Sequence, residues 1–187
     1  MRPFRRPAGK WTGNALLLSL LILAKPVSAV ASDTVAFSGD LLALLLPLGA
    51  VAATVYHHDG TGAQQYGEAV LAGAGTVYTL KYTVDKARPD GSDNDAFPSG
   101  HTAAAFSGAA FLQMRYDSLL AIPAYLAAAY VGWSRIEAKK HDVADVLGGA
   151  AVGVAAAYLF TDRFGEETAL LPIVGDHTYG LLFRARF

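Results

Sequence analysis

Three short clusters of polar residues between residues 81 and 145 hold the side chains that could do chemistry. They read K-x6-R-P at residues 81–89, P-S-G-H at residues 98–101 and S-R-x5-H-x3-D at residues 134–145. The segments between them are largely uncharged and apolar. Together the clusters supply three cations, two histidines, a carboxylate and a Ser-Gly turn, which is the set of groups needed to hold a phosphate and attack it without a metal.

The third cluster contains a histidine and a carboxylate four residues apart, His141 and Asp145. On a helix these positions share one face, so Asp145 could accept a hydrogen bond from one ring nitrogen of His141. That bond would fix the tautomer and leave the other nitrogen free to attack. The alternative is a charge pair at a helix start, a role that Asp142 could fill equally well.

The second cluster stands directly before an apolar segment, so Ser99, Gly100 and His101 would lie at the start of a helix. Backbone N–H groups at such a start bind anions. Ser99 could add its hydroxyl to the anion or simply cap the helix. His101 would lie over the same anion, where it could protonate a leaving oxygen.

Lys81, Arg88 and Arg135 supply positive charge beside the two histidines. Arginine binds phosphate oxygens through two parallel hydrogen bonds, whereas lysine acts as a point charge. Each cation taken alone could be a solvated helix end. The alternative of a metal held by His141, Asp142 and Asp145 is weak because no closing ligand set is present. We therefore predict a site without metal or cofactor.

The composition limits the class of protein. The chain has 187 residues, enough for one domain, and 53% of them are hydrophobic against 17% charged. Its formal net charge of -1 and its lack of a basic stripe argue against nucleic acid as a partner. The absence of cysteine excludes disulfides, zinc–thiolate sites and cysteine nucleophiles.

The N-terminus reads as a secretory signal peptide. Four cations precede an apolar run that ends at Ala24, and small residues stand at alternate positions, Val27 and Ala29. The alternative is a first membrane helix that is not cleaved. The predicted divisions are therefore residues 1–29 as signal or first membrane helix, 30–165 as the helical domain and 166–187 as a tail.

Five apolar segments follow, at residues 41–56, 67–84, 102–114, 118–134 and 146–161. Their length and their alanine and leucine content favour helices. We predict an all-α protein, a compact bundle of five to six helices, with a short C-terminal β-hairpin. Two segments are apolar on every side, and so small a chain cannot bury them all, which favours embedding in a membrane over a soluble bundle.

In this order and with every named position intact, the three motifs resemble those of the type 2 phosphatidic acid phosphatase family, which is related to bacterial acid phosphatases and vanadium haloperoxidases. The resemblance covers roughly residues 67–153. It implies that His141 is a nucleophile that forms a phosphohistidine, that Asp145 orients it and that His101 is the general acid. It also implies that phosphoryl oxygens are held by Lys81, Arg88, Ser99, Gly100 and Arg135.

The resemblance therefore implies a phosphatase acting on phosphomonoesters or diphosphates of lipids, such as phosphatidate, phosphatidylglycerophosphate, undecaprenyl diphosphate or a lipid A phosphate. Its expected location is the inner membrane, with the site facing the periplasm and no obligate protein partner. The main alternative is a soluble periplasmic acid phosphatase of broad specificity. A haloperoxidase and a non-catalytic lipid-binding protein are weaker alternatives, because such haloperoxidases are usually larger and a non-catalytic relative should lose one of the histidines.

Overall fold

The structure, a computed structural model, describes residues 27–165, 168–175 and 178–185, with side chains described from residue 33 to residue 165. It contains five helices over these residues, so the predicted all-α bundle is confirmed. The helices are α1 Val27–Tyr56, α2 Gly60–Thr83, α3 Gly100–Tyr116, α4 Ala121–Glu137 and α5 Val143–Phe160.

Polar capping residues set the starts of three helices. Asp59 precedes α2 and accepts from the N–H of Gly62 at 2.8 Å, and Ser99 caps α3. Asp142 and Asp145 form a reciprocal capping box at the start of α5. Each of these helices begins earlier than its predicted apolar segment, because a capped first turn does not have to be apolar.

Helix α3 lies at the centre of the bundle and contacts the other four helices. Its Phe111 is fully buried, and most of the core around it is alanine. Small residues allow the backbones to approach closely. A Cβ atom at Gly153 of α5 would lie 2.2 Å from the carbonyl oxygen of Ala103 on α3, so glycine is required at this crossing.

Much of the apolar surface of the bundle faces outward. Two helical stretches are long and apolar enough to cross a membrane, Asp33–Tyr56 and Val143–Phe160. Only 17% and 28% of their most apolar windows are buried, whereas a core helix of a soluble protein would be mostly buried. Five large side chains of α1 between Leu41 and Val51 are close to half exposed or more: Leu41, Leu44, Leu45, Leu48 and Val51.

The order of the helices brings the ends of α2 and α4 to the same end of the bundle as the starts of α3 and α5. All three motifs lie at these ends.

The structure describes only part of the predicted N-terminal leader and of the predicted C-terminal tail. The predicted leader lies almost wholly outside the described residues, and its boundary after residue 29 falls inside α1, which begins at Val27. In the tail, β1 Thr168–Gly175 pairs antiparallel with β2 Thr178–Ala185, with Gly175 opposite Thr178. Residues 176 and 177, which would connect them, lie outside the described residues, so the hairpin stays a prediction.

Candidate active site

A cavity of about 880 Å³ opens where the motifs meet. Six of the eight predicted site residues line it: Lys81, Arg88, Gly100, His101, Arg135 and His141. The other two, Ser99 and Asp145, are fully buried behind it. Away from this polar end, the cavity continues between α1 and α2 as an apolar groove.

His141 lies in the short connection between α4 and α5, two residues before α5 begins. Its Nδ1 lies 2.8 Å from the carbonyl oxygen of Ala96 and 3.7 Å from Oδ2 of Asp145. Because a carbonyl can only accept, Nδ1 carries the hydrogen and Nε2 remains available as a nucleophile. The predicted hydrogen bond from His141 to Asp145 is therefore wrong; Ala96 holds the ring, since His141 does not belong to the helix that carries Asp145.

The carboxylate of Asp145 is used elsewhere. Its Oδ1 accepts from Nζ of Lys86 at 2.6 Å, and its Oδ2 accepts from the N–H of Asp142 at 3.0 Å. Lys86 also binds Asp142 at 2.7 Å. Asp145 thus anchors the start of α5 and contributes negative charge near His141, but the ring is not bonded to it.

Burial lowers the pKa of His141 below its ordinary value. The hydrogen bond to Ala96 opposes this change, while the nearby charges of Arg88 and Lys81 add to it and Asp145 opposes it. The ring is therefore held neutral at neutral pH, which is the form that a nucleophile needs.

Lys81 and Arg88 share one carboxylate, that of Asp95 in the polar loop between α2 and α3. Arg88 donates through Nε to Oδ1 at 2.7 Å, and Lys81 contacts Oδ2 at 3.4 Å and donates to the Asp95 carbonyl oxygen. The hydrogen bond from Arg88 lowers the pKa of Asp95, which burial opposes. Both cations are thus fixed at the cavity wall by a residue of that same loop.

Arg135 and His101 share a second carboxylate, that of Asp40 on α1. Arg135 is buried and donates through Nη1 to Oδ1 of Asp40, and Nε2 of His101 lies 3.1 Å from the same oxygen. Arg135 also donates to the carbonyl oxygen of Ala36. Each of the three motifs therefore has at least one residue that contacts an aspartate outside the motifs.

Ser99 is the cap of α3. Its hydroxyl oxygen accepts from Thr102 Oγ1 at 2.9 Å and from the Thr102 N–H at 3.4 Å. Of the two roles left open by the sequence, the structure gives the capping contacts. Gly100 is the first residue of α3, where N–H groups lack helical acceptors and could bind an anion.

Four groups of the site were missed by motif reasoning: Asp40, Lys86, Asp95 and the Ala96 carbonyl. Asp40 had a detectable signal, because it is the lone charge between residues 34 and 56 of an apolar helix. Lys86 and Asp95 lie in a loop rich in charges, where nothing distinguishes the paired residues. A backbone carbonyl has no sequence signal.

The two histidines and the three motif cations around one cavity are groups that could carry out phosphoryl transfer. Residues 90–168 match the PAP2 superfamily model, and this span contains the second and third motifs. Among the described residues, no group of three His, Cys, Asp or Glu side chains is arranged to hold a metal ion.

Relatives extend the match along the chain. It is 30% identical to a lipid A 4'-phosphatase of Helicobacter pylori over 192 positions, covering 91% of this chain and 96% of the relative. It is 41% identical to a lipid A 1-phosphatase of Porphyromonas gingivalis over 83 residues, which are 43% of this chain but only 19% of that longer protein. The crystal structure of Aquifex aeolicus LpxE superposes with a TM-score of 0.58 at 26% identity, covering 77% of this chain and 92% of that one.

The chain belongs to the PAP2 superfamily. The family predicted from the three motifs is thereby confirmed, and the predicted enzyme class, a phosphatase, agrees with the names of both curated relatives.

Proposed function

We propose that the protein is a metal-independent lipid phosphate phosphatase that works through a phosphohistidine. The observation that carries this proposal is a single cavity whose polar end is lined by six lysine, arginine or histidine side chains and whose remainder is largely apolar. A phosphate would enter the polar end, and the hydrocarbon part of the same molecule would lie along the groove.

In the first step, Nε2 of His141 attacks the phosphorus atom. A P–N bond forms as the bond to the leaving oxygen breaks, and His101 gives a proton to that oxygen. Lys81, Arg88, Arg135 and the Gly100 N–H neutralise the charge that develops on the phosphoryl oxygens. Asp145 contributes by its charge, which stabilises a positive His141 ring after attack.

In the second step, a water molecule attacks the phosphorus atom of the phosphohistidine. Its proton passes to the now neutral His101, the P–N bond breaks, and inorganic phosphate leaves. His141 and His101 return to their starting protonation states, so one substrate and one water yield one alcohol and one phosphate.

The groove supports a lipid as substrate. It is lined by small and branched apolar side chains from α1 and α2: Ala43, Leu44, Pro47, Val70, Ala74 and Val77. Burying hydrocarbon there contributes about 25 cal/mol per Å². The relatives named for lipid A phosphates favour a phosphorylated lipid of this general kind, and the exposed apolar faces of α1 and α5 favour a protein embedded in the membrane.

We place the site at the periplasmic face of the inner membrane. Because the natural chain lacks cysteine, this orientation can be tested with single cysteines. A cysteine at Ser92, in the loop beside the site, should react with a membrane-impermeant maleimide in intact cells. A cysteine at Ser118, before α4 at the other end of the bundle, should react only after lysis. The opposite labelling pattern would mean that the site faces the cytoplasm.

Phosphate release from a panel of lipid phosphates in the presence of EDTA tests the function. Activity should survive chelation and should be inhibited competitively by vanadate, which mimics the phosphoryl transition state. Loss of activity with EDTA that a divalent ion restores would contradict the metal-independent mechanism. Activity on soluble esters alone, from a protein that carbonate releases from membranes, would favour the soluble acid phosphatase.

A further inference from the structure

Asp40 contacts two groups of the site although it belongs to none of the motifs. One of its oxygens, Oδ1, accepts from Arg135 and lies 3.1 Å from Nε2 of His101. Its side chain is 50% exposed and lines the cavity. A charged residue in an otherwise apolar helix is costly in a membrane unless it is paired, and such residues are commonly functional.

The segment of α1 that carries Asp40 is fastened to α4. The hydroxyl groups of Ser38 and Tyr130 lie 2.7 Å apart, and Arg135 donates to the Ala36 carbonyl oxygen. Directly after Ser38, Gly39 lies so close to Ser134 that an added Cβ would come within 1.9 Å of its Oγ. Asp40 therefore has a fixed position relative to the third motif, one turn beyond Ala36.

His101 also needs a counter-charge. Burial, and after it the charges of Arg135, Arg88 and Lys81, lower the pKa of His101, whereas the Asp40 carboxylate opposes this change. A general acid must carry its proton when the leaving oxygen departs. Burial and the three cations that would bind phosphate therefore disfavour the protonated general acid, and the Asp40 carboxylate opposes them.

We propose that Asp40 is a positioning residue for the general acid. It accepts from Nε2–H of His101, fixes the plane of the ring and stabilises the imidazolium. The other nitrogen, Nδ1, then delivers its proton to the leaving oxygen, which leaves a neutral ring still bonded to Asp40 through Nε2. This inference rests on the proposed phosphatase function.

The test compares two substrates in the variant Asp40→Asn, which keeps the size of the side chain. A lipid phosphate has a basic leaving alkoxide, whereas p-nitrophenyl phosphate has a leaving group that needs little protonation. We expect kcat to fall about 10- to 100-fold on the lipid, part of the 10²–10⁴-fold that general acids contribute, and less than about 3-fold on p-nitrophenyl phosphate. Asp117→Asn, an exposed aspartate at the other end of the bundle, is the matched control for loss of one charge.

A double-mutant cycle supplies the second measurement. In the His101→Ala background, Asp40→Asn should have almost no further effect, because a residue that acts through His101 has nothing left to position. The same substitution in an Arg135→Gln background should retain its effect on the lipid.

Three results would overturn the proposal. They are an equal loss on both substrates, a loss that persists in the His101→Ala background, and a gain in activity, which would mean that Asp40 only obstructs Arg135. Asp40→Glu, which retains the charge, should recover part of the lipid activity if a variant is merely unstable. Failure of the natural protein to release phosphate from either substrate would instead contradict the proposed function.

Discussion

The two ends of the bundle each contain an arginine paired with an aspartate of another element, and the two pairs are built differently. At the cavity, Arg135 is buried but its partner Asp40 is 50% exposed and uses one oxygen for both of its contacts. At the opposite end, Arg115 and Asp59 are 4% and 3% exposed and meet through two hydrogen bonds of 2.7 and 2.6 Å.

The surroundings of the buried pair supply further hydrogen-bond partners to both side chains. Asp59 also accepts from the Tyr116 hydroxyl at 2.9 Å and from the N–H of Gly62, while Arg115 donates to the Asp162 carbonyl oxygen at 2.9 Å. Burial alone would raise the pKa of Asp59, but these hydrogen bonds, first that of Arg115, hold it below its ordinary value.

The difference in exposure between the two ion pairs distinguishes a structural role from a role at the site. A buried arginine whose donors are satisfied can hold helix ends together, but it cannot bind an anion without breaking those bonds. Arg135, Arg88 and Lys81 are paired with aspartates that remain partly exposed at the cavity, so a phosphate can compete for them. The same pair of residue types thus serves the fold at one end and the site at the other.

The largest effect should come from His141, the proposed nucleophile. His141→Ala should lower turnover by about 10⁴-fold or more on every substrate, because no phosphoenzyme can form. Phosphate release and rapid-quench trapping of an acid-labile phosphoenzyme are the measurements. His57→Ala is the matched control, since His57 is exposed at the opposite end and stacks on Tyr116. A phosphoenzyme that still formed in His141→Ala would require the roles of His141 and His101 to be exchanged.

The next largest effect is a difference in the free energy of unfolding when an aspartate is replaced by asparagine at each end of the bundle. Asp59→Asn leaves the buried Arg115 charge uncompensated and should reduce the free energy of unfolding by about 3–5 kcal/mol. Asp95→Asn, at the partly exposed site, should cost about 1 kcal/mol or less. Denaturation of both variants in the same detergent measures the difference. Equal losses would mean that the two ends do not differ in the way that their burial indicates.

The pH dependence tests the electrostatics at His141. The proposed nucleophile acts in its neutral form, and its pKa lies below the ordinary value, so the acid limb of kcat/KM should lie below about pH 6.5. Asp145 favours the protonated ring, so Asp145→Asn should lower that pKa further and move the acid limb of kcat/KM to lower pH. The substrate ionises in the same way with the natural protein and with Asp145→Asn, so a difference between their pH profiles comes from the protein. A shift to higher pH would contradict the assignment.

Much of the fold could be predicted from the sequence because apolar segments of helical length leave few alternatives. The segment at 102–114 lies inside α3 and is two residues short at each end, whereas the segment at 146–161 starts three residues after α5 begins and runs one residue past its end. The reason is physical: Ser99 and Asp142 start these helices by hydrogen bonding, which an apolar pattern does not record.

The site was predictable to the level of its motifs and no further. Spacing along the chain identified His141 and Asp145, but it could not reveal that the Ala96 carbonyl, 45 residues away, holds the ring. Likewise Asp40 lies 95 residues from Arg135, and only the packing of α1 on α4 brings them together. Long-range partners of this kind depend on tertiary structure, which local spacing does not encode.

The smallest effect should come from Ser99, and it distinguishes two roles. As a cap, its hydroxyl accepts from Thr102 at the start of α3, so Ser99→Ala should reduce the free energy of unfolding by about 1 kcal/mol. Because the side chain is fully buried and lies behind the cavity, KM should change little. Ser99→Thr, which keeps the hydroxyl, is the control. If the hydroxyl instead binds phosphate directly, as the family resemblance implies, Ser99→Ala should raise KM and weaken vanadate inhibition together while stability stays nearly unchanged. That result would show that Ser99 binds the anion at the cavity and does not only cap α3.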